Sequence, residues 1–257
     1  MDPKTIAIEL HEALKAPRQI EAPTKSNPGL SLADAYAIQM EGLKLRQSEG
    51  QTLIGLKIGL TSQAMQNLLG VKEPDFGQLT DRMLLLEGEA CKRDQLLQPK
   101  VEGELAFCLN KNIKGPGVTV ADVFNATAFV SPVIEIVDSR VKDWKITLAD
   151  TVADNGSSAM FMLGGRMTPI HEIDMRLVGM TLEKNGRLVN SGCGAEVLGN
   201  PAAAVAWLAN KMAEFGTGLP SGMIVLSGAF TAAQNAEVGD SFTASFTGMG
   251  SVTVSFS

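Results

Sequence analysis

The segment Gln98-Pro-Lys-Val-Glu-Gly-Glu-Leu-Ala-Phe-Cys-Leu109 is a predicted β-strand that carries carboxylates where a buried strand normally carries aliphatic side chains. Successive side chains of a strand alternate between its faces, so Glu102 and Glu104 project to the same side. Their Cα atoms are then about 6–7 Å apart, at roughly 3.3 Å of rise per residue. Two carboxylates held this close repel each other unless a proton or a cation lies between them. A chain containing this strand must therefore fold so that one or the other is supplied.

A second apolar strand is predicted over residues 129–138, and it contains a third carboxylate, Glu135. By alternation Glu135 shares a face with Val133 and Val137, which is not a solvated face. A predicted helix separates the two strands and returns the chain so that they lie side by side. Three carboxylates are therefore expected to converge on apolar strands.

Burial of even one unpaired ionised carboxylate costs several kcal/mol, so a converging set of three requires compensation by a cation. An all-oxygen set without Cys or His favours Mg²⁺ or Mn²⁺ over zinc. The metal-free alternative is a pair of Lys–Glu bridges, for instance from Lys57 and Lys100. Both explanations remain open on the residues alone.

Lys57 lies in the middle of an apolar predicted strand, residues 53–60. Its long side chain can reach solvent if the strand is at a sheet edge. Alternatively it is a desolvated amine, whose pKa falls and which then acts as an acid, a base or a substrate clamp. Beyond this strand, Glu73-Pro-Asp-Phe-Gly77 is predicted to be a turn-rich loop in which the proline holds Asp75 rigid.

A long polar loop follows the Glu135 strand and runs from Asp143 to Ser158. Polar loops between core strands are common places for site residues, although ordinary turn chemistry explains the composition nearly as well. Before this loop, at the end of the Glu135 strand, Asp138 and Arg140 are expected to form an ion pair.

Composition excludes several classes of function. The net charge of −6 and the scattered basic residues argue against a nucleic-acid surface. The N-terminus has no signal-peptide pattern, and no apolar run approaches the roughly 20 residues of a membrane span. The three cysteines lack metal-type spacing, which indicates reduced thiols and a cytoplasmic protein. With only His11 and His171, His-based metal sites and Ser-His triads are not expected, and His11 is interpreted as a solvated surface residue.

The remaining patterns predict one α+β protein. Residues 1–50 form an N-terminal helical layer, with an amphipathic helix over 2–16 and a Ser31-capped helix over 32–48. Residues 51–257 form a single structural unit dominated by strands. It includes a hairpin at Asn185-Gly186, a helix begun by Asn200-Pro201 and a final hairpin turning at 248–250.

Several longer segments resemble the 2-oxopent-4-enoate (2-hydroxypenta-2,4-dienoate) hydratase and 4-oxalocrotonate decarboxylase family of the fumarylacetoacetate hydrolase superfamily. The resemblance runs through nearly the whole chain. Its most specific pieces are Gly55-Leu-Lys-Ile-Gly-Leu-Thr61, Glu73-Pro-Asp-Phe-Gly77, Pro99-Lys-Val-Glu-Gly-Glu104, Glu135-Ile-Val-Asp-Ser-Arg140, Val152-Ala-Asp-Asn155 and Val205-Ala-Trp-Leu-Ala-Asn210.

The resemblance implies a mixed, strongly curved β-sandwich or β-roll core, assembly into a homo-oligomer, and a divalent ion on Glu102, Glu104 and Glu135. It implies that Lys57 and Asp75 approach a short 2-hydroxy-dienoic or 2-oxo-enoic acid. Lys57 would hold the enolate oxygen or transfer a proton, and Asp75 is a candidate general acid or base. Asn155 or Ser158 is the expected ligand of the substrate carboxylate.

The sequence features point to two different activities within that family. Trp144-Lys-Ile146 with Asp150 to Asn155 is similar to the hydratases, whereas Ser157-Ser158 and Thr231-Ala-Ala233 are similar to the decarboxylases. We expect the hydratase, with the decarboxylase as the alternative. A non-catalytic subunit of a pathway partner enzyme is less consistent with a chain that keeps all three carboxylates and Lys57, although co-assembly of an active enzyme with such a partner stays open. C–C hydrolysis would need a water-activating group near the metal, for which both histidines are poorly placed.

Overall fold

The computed structural model describes residues 2–257, and for Leu68 and Leu69 it describes the backbone only. The helices in this part of the chain are α1 Pro3–Lys15, α2 Pro23–Ser26, α3 Leu32–Ser48, α4 Gln63–Leu69, α5 Val120–Ala126, α6 Leu148–Ala153 and α7 Pro201–Glu214. The strands are β1 Leu53–Gly59, β2 Asp75–Thr80, β3 Leu84–Leu85, β4 Ala90–Cys91, β5 Lys100–Leu109, β6 Thr127–Val137, β7 Ser158–Leu163, β8 Gly179–Lys184, β9 Arg187–Cys193, β10 Ile224–Leu226, β11 Gln234–Asn235, β12 Ser241–Phe246 and β13 Gly250–Phe256.

Residues 2–50 contain the helices α1, α2 and α3, and α1 and α3 begin where side chains satisfy the free N–H groups of the first turn. Asp2 accepts a hydrogen bond from the Lys4 N–H at the start of α1. Ser31 and Asp34 form a reciprocal capping box at the start of α3. The predicted helices over 2–16 and 32–48 are thereby confirmed. Within residues 2–257, no helix is both long and apolar enough to cross a membrane.

The larger sheet has the strand order β2-β1-β10-β5-β6-β7-β3, and β11 pairs with β5 outside this path. It is a mixed sheet, because β1 runs parallel to β10 and β3 runs parallel to β7. The long central pair β5–β6 is antiparallel, joined through α5. This confirms that the strands of Glu102 and Glu135 lie side by side.

The second sheet has five strands in the order β4-β13-β12-β8-β9. Both of its hairpins were predicted, and the β8–β9 turn has Asn185 and Gly186 at φ +54° and +71°, as its Asn-Gly sequence favours. This sheet packs on one face of β5. A Cβ at Gly103 would lie 3.1 Å from the Met180 side chain and 3.3 Å from that of Ala244. The residues that alternate with Gly103, namely Glu102 and Glu104, consequently face the other way.

On that opposite face, the larger sheet curls around an apolar cluster of its own. The cluster joins side chains from both ends of the sheet: Leu79, Met83, Ala106, Val133, Phe161 and Leu226. A separate, larger core runs from α1 to β13 and includes residues of all the main layers. The predicted α+β architecture with a curved β-sandwich or β-roll core and an N-terminal helical layer agrees with this arrangement.

The sequence interpretation of residues 73–77 as a turn-rich loop was wrong at its C-terminal end. Asp75 begins β2, which pairs antiparallel with β1 so that Asp75 lies opposite Gly59 and Gly77 lies opposite Lys57. Propensity disfavours Asp and Gly in strands, but pairing with a buried neighbour overrides it.

His11 was also misassigned. It is 8% exposed rather than solvated, and its Nε2 lies 3.0 Å from Glu49 Oε1. Lys15 donates to the same oxygen at 2.8 Å. The Glu49 carboxylate therefore joins the end of α3 to α1. His11 is buried because Glu49, which is distant in sequence, packs against it.

The expected ion pair between Asp138 and Arg140 is not formed by their side chains. Arg140 Nε donates to Asp154 Oδ1 at 2.5 Å, and both side chains are buried. The Asp138 carboxylate instead accepts the backbone N–H groups of Leu97 and Gln98 at 2.9 and 2.6 Å. Arg140 thus fixes the loop that follows α6, and Asp138 fixes the approach to β5.

We predict that Arg140→Met lowers the free energy of unfolding by about 3–5 kcal/mol, because Asp154 is left buried without its cation. Urea unfolding monitored by circular dichroism measures the change. Lys145→Met is the matched control. It removes an exposed pair with Asp143 and should change stability by less than about 0.5 kcal/mol. A similar small loss in both variants would contradict the assigned role of Arg140.

Candidate metal and substrate site

Three carboxylates meet on the curled sheet as alternation predicted. Glu102 and Glu135 are direct cross-strand partners in the β5–β6 register, and Glu104 lies two residues further along the same face. Each contributes an oxygen, and the three oxygens lie within 4.8 Å of one another. Glu104 and Glu135 are fully buried, whereas Glu102 is partly exposed. The cluster therefore opens towards solvent on the side of Glu102.

The hydrogen bonding of this cluster is incomplete. Glu104 Oε2 accepts the backbone N–H of Gly228 at 2.8 Å. Neither oxygen of Glu135 has a hydrogen-bond partner among the described residues, although both are buried. Buried polar atoms in folded proteins are normally hydrogen-bonded, so these two oxygens are open to a ligand from outside the protein. A hard divalent cation with a preference for oxygen fits this donor set.

The protonation of the cluster reflects its crowding. Burial, followed by the charge of Glu135, raises the pKa of Glu102 to about 7. Burial and the charges of Glu135 and Glu102 raise the pKa of Glu104 well above its ordinary range. In the absence of a cation, protons relieve the repulsion between these carboxylates. A bound dication would displace those protons.

Lys57 is buried and 4% exposed, because β1 lies between β2 and β10 rather than at an edge. The interpretation that it reaches solvent is therefore wrong. Its Nζ lies 3.7 Å from Glu135 Oε1. Burial by itself would lower the pKa of Lys57, but Glu135, Asp75 and the other carboxylates outweigh burial and raise it. The prediction that the pKa of Lys57 falls is therefore wrong, and the side chain remains a charged ammonium.

Glycines make the space that this ammonium occupies. A Cβ at Gly77 would lie 3.3 Å from Lys57 Cε, and a Cβ at Gly156 would lie 2.7 Å from the same atom. A Cβ at Gly59 would collide with the Asp75 carboxylate and lie 3.4 Å from Lys57 Nζ. Gly156 is thus the position at which a Cβ would collide with Lys57 itself, whereas a Cβ at Gly77 would collide first with the Asn155 carbonyl oxygen and a Cβ at Gly59 with Asp75.

Asp75 lies at the first position of β2 and is 2% exposed. Its Oδ1 has no hydrogen-bond partner among residues 2–257. Burial is the main cause that raises the pKa of this carboxyl; Glu135 adds to the rise and Lys57 opposes it. Asp75 is thus a buried carboxyl group beside Lys57, with a raised pKa and one oxygen that has no hydrogen bond.

Asn155 and Ser158 were predicted to bind the carboxylate of the substrate. The side chain of Asn155 already makes hydrogen bonds within the protein. Its Oδ1 accepts the Gln78 N–H at 2.8 Å, and its Nδ2 donates to the Gln78 carbonyl at 2.9 Å. Ser158 is fully buried, and its Oγ has no partner among the described residues. The hydroxyl of Ser158 is therefore free to bind a ligand, whereas the Asn155 amide ties the loop to β2.

The backbone that leads to Ser158 is strained. Asn155, Gly156 and Ser157 all have positive φ, at +59°, +60° and +54°. Runs of this kind persist only where surrounding contacts fix them, and they are frequent at functional sites. Here the Asn155–Gln78 bonds and the Arg140–Asp154 pair hold the segment on either side.

The sequence interpretation did not identify Gly228 as part of the site. Its N–H binds Glu104, and its φ of +105° is accessible to glycine at little cost. The preceding Ser227 is fully buried with an unpartnered Oγ. A Ser-Gly pair after a buried strand was visible in the sequence, but only the tertiary fold places it against β5.

Comparison with known proteins shows the family of this chain. Residues 67–257 match the family model described as fumarylacetoacetate (FAA) hydrolase C-terminal. The chain belongs to the fumarylacetoacetate hydrolase family, as the sequence resemblance indicated.

Within that family, the chain is 44% identical over 249 residues to 2-hydroxyhexa-2,4-dienoate hydratase of Comamonas testosteroni, covering 96% of this chain and 94% of the relative. It is 47% identical over 209 residues to 2-hydroxypent-2,4-dienoate hydratase of Pseudomonas putida, covering 81% and 94%. Among solved structures, 4-oxalocrotonate decarboxylase from Pseudomonas putida G7, complexed with magnesium and adipate, matches with a TM-score of 0.97 at 37% identity. That match covers 99% of this chain and 97% of the other.

We predict that Mg²⁺ stabilises the protein more at about pH 8 than at about pH 5. In the metal-free protein the pKa of Glu102 is raised from 4.5 to about 7, so the folded state binds more protons than the unfolded chain between pH 4.5 and about pH 7. Stability is then lost as pH rises through that window, and a cation that binds ionised carboxylates restores it. Thermal unfolding with chelator and with Mg²⁺ at both pH values measures the difference.

Glu104→Gln is the test variant for this prediction, because it keeps the shape of the side chain and removes one charge. Its Mg²⁺-dependent shift in melting temperature should be largely lost, whereas Glu183→Gln on β8 should behave as the unmodified protein. A Mg²⁺ shift that is independent of pH, or unchanged in Glu104→Gln, would contradict the assignment of the metal site.

Proposed function

We propose that this protein is a Mg²⁺- or Mn²⁺-dependent lyase of aromatic meta-cleavage catabolism. It hydrates 2-hydroxypenta-2,4-dienoate (2-oxopent-4-enoate) to 4-hydroxy-2-oxopentanoate. The observation that carries the proposal is the buried cluster of Glu102, Glu104 and Glu135 with Lys57 and Asp75 beside it. It occurs in a chain that is 44% and 47% identical to two dienoate hydratases. The relative that was solved with magnesium and adipate supports the choice of ion.

Glu102, Glu104 and Glu135 would hold the cation, which as a Lewis acid stabilises negative charge that develops on the C2 oxygen of a 2-oxo acid. Three protein ligands leave positions for a chelating substrate on an octahedral ion. The Ser158 hydroxyl, buried and unpartnered, would donate to the substrate carboxylate. Asn155 supports the site by holding the loop on β2.

Proton movement in this mechanism depends on Lys57 and Asp75. The Lys57 ammonium, kept charged by its carboxylate neighbours, would bind the C2 oxygen as it gains charge. Asp75, whose buried carboxyl has a raised pKa, would deliver a proton to C5 of the dienol. The C2 hydroxyl loses its proton in this ketonisation; water then adds across C3 and C4, its hydroxyl group to C4 and its proton to C3, which gives the 4-hydroxy-2-oxo acid. Exclusion of bulk water from this buried pair strengthens both interactions.

Decarboxylation of 4-oxalocrotonate is the second candidate. The specific observation in its favour is the TM-score of 0.97 to the decarboxylase structure. Both reactions stabilise negative charge at C2 through the same groups. The higher identities to the hydratases favour hydration in this chain.

The proposal also includes the cellular location and the assembly of the protein. We place it in the cytoplasm, since Cys91, Cys108 and Cys193 are free thiols. A homo-oligomer is supported by large apolar side chains on the surface, among them Leu177 at 73% and Leu188 at 62% exposed. Association with a pathway partner enzyme is compatible with such a surface. Ligands are small acids, and the net charge of −6 disfavours nucleic acid.

The test of function is a pair of assays with Mg²⁺ and with chelator. One follows the loss of 2-hydroxypenta-2,4-dienoate by absorbance, and the other follows CO₂ release from 4-oxalocrotonate. We expect kcat/KM for hydration to exceed that for decarboxylation, and both activities to vanish with chelator. A larger kcat/KM for CO₂ release would establish the second candidate instead. Full activity after exhaustive chelation would overturn the metal-dependent mechanism.

We predict that Lys57→Met lowers kcat/KM for hydration by about 10²-fold or more, because the ammonium that binds the C2 oxygen is lost. Binding of Mg²⁺, measured by calorimetry, should persist since all three carboxylates remain. Lys44→Met, on the exposed face of α3, is the control and should retain normal kinetics. Near-normal turnover in Lys57→Met would assign Lys57 a structural role only.

A further inference from the structure

The N-terminal helical layer has no part in the mechanism above, yet one of its side chains reaches the strand that carries Asp75. This side chain is Gln39, which lies on the buried face of α3 among Ala35, Ile38 and Leu43. Gln39 is 2% exposed. A buried amide is costly unless it makes hydrogen bonds, so its partners indicate what it does.

The amide nitrogen of Gln39 joins two segments that are distant in sequence. Its Nε2 donates to the carbonyl of Phe76 in β2 and to the carbonyl of Val152 in α6, each at 2.9 Å. Both partners are carbonyl oxygens, which only accept, so they fix the orientation of the amide. Gln39 Oε1 has no hydrogen-bond partner among the described residues. The two bonds of the nitrogen are therefore what the buried side chain contributes.

The bond to Phe76 is important because β2 is an edge strand of the larger sheet. Alternate residues of an antiparallel strand direct their backbone groups to the same side, so those of Phe76 and Gln78 point away from β1. Two amide side chains occupy this free edge in place of a further strand. Asn155 binds the N–H and the carbonyl of Gln78, and Gln39 binds the carbonyl of Phe76. The position of β2 therefore depends on Gln39 as well as on β1.

Phe76 directly follows Asp75, so α3 holds the strand next to the candidate proton donor. One turn before Gln39, the Tyr36 ring stacks on the Phe76 ring with a centroid distance of 4.6 Å. The helix thus contacts Phe76 through both its ring and its carbonyl. Asp75 Oδ1 has no hydrogen bond within residues 2–257, so the placement of that oxygen depends on the backbone of β2.

We propose that Gln39 is a positioning residue for the proton transfer that Asp75 performs. Its bond to the Phe76 carbonyl holds the first residues of β2, and so the Asp75 carboxyl keeps its place beside Lys57 and the reacting carbon. Gln39 acts through Asp75 rather than on the substrate. A displacement of about 1 Å in a reacting group can lower a rate by about 10²-fold. This inference rests on the proposed function, because it takes Asp75 to be the proton donor.

Gln39→Met tests the positioning role, because methionine has nearly the same length and removes both donor bonds. We expect kcat for hydration to fall about tenfold or more. KM and the Kd of Mg²⁺ should stay within about twofold, since the metal ligands and Ser158 are unchanged. Steady-state kinetics with saturating Mg²⁺ measure this, at a temperature where circular dichroism shows the variant to be folded. Gln47→Met, at an exposed position of the same helix, is the control and should retain normal kinetics.

A double-mutant cycle shows whether Gln39 acts through Asp75. In the Asp75→Asn background, Gln39→Met should change kcat by less than about twofold, because the group that it positions is already lost. In the Ser158→Ala background the full effect should remain. An effect of Gln39→Met that persists in Asp75→Asn would overturn the proposal. A lower melting temperature with an unchanged kcat would overturn it as well, since Gln39 would then contribute to stability alone.

Gln39→Asn is the second variant, to be used if Gln39→Met does not fold. It keeps a buried amide but is one methylene group shorter, so it should not reach both carbonyls, and kcat should again fall. A normal kcat in folded Gln39→Asn would overturn the proposal. The unmodified protein separates this inference from the proposed function. If it does not hydrate 2-hydroxypenta-2,4-dienoate with Mg²⁺, both fail; if it does and Gln39→Met has a normal kcat, only the positioning role is refuted.

Discussion

Mutual repulsion of three carboxylates on adjacent buried strands is the constraint around which this structure is arranged. Glu102 and Glu135 face each other across β5 and β6, with Glu104 beside them. Taking such groups out of water is costly unless opposite charge and hydrogen bonds compensate. The protein supplies the Lys57 ammonium, which pairs with Glu135 at 3.7 Å, and the Gly228 N–H, which binds Glu104; neither oxygen of Glu135 has a hydrogen bond among the described residues. This donor set fits a divalent cation, as the proposed function requires.

The surrounding fold serves to keep these groups close. The five-stranded sheet presses on the Gly103 side of β5, so the glutamates face into the curl of the larger sheet. Gly77 and Gly156 leave room for the Lys57 side chain. The Arg140–Asp154 pair holds the loop that carries Ser158. The contacts of Gly103 with the second sheet and of Gly156 with Lys57 join segments far apart in the chain, and so the site depends on the whole fold.

Local patterns predicted much of the architecture. Capping residues located the helices, the Asn185-Gly186 pair located a hairpin, and alternation placed the three glutamates on one face. The failures have a common physical cause. The strand at Asp75 and the buried state of His11 depend on neighbours supplied from elsewhere in the chain. The partner of Arg140 is Asp154, which a loop brings back to it.

The sequence by itself determined that three carboxylates converge on one face of the sheet, because the side chains of a strand alternate with a period of two. The family resemblance supplied the class of substrate. Tertiary structure decided the charge of Lys57: the sequence suggested a desolvated amine with a lowered pKa, but four converging carboxylates raise that pKa. It also showed that the Asn155 amide is engaged with Gln78 while the Ser158 hydroxyl is free. The protonation of Lys57 depends on the charges within a few ångströms, and the hydrogen bonds of Asn155 and Ser158 depend on the groups that they contact. Those neighbours are set only when the chain has folded.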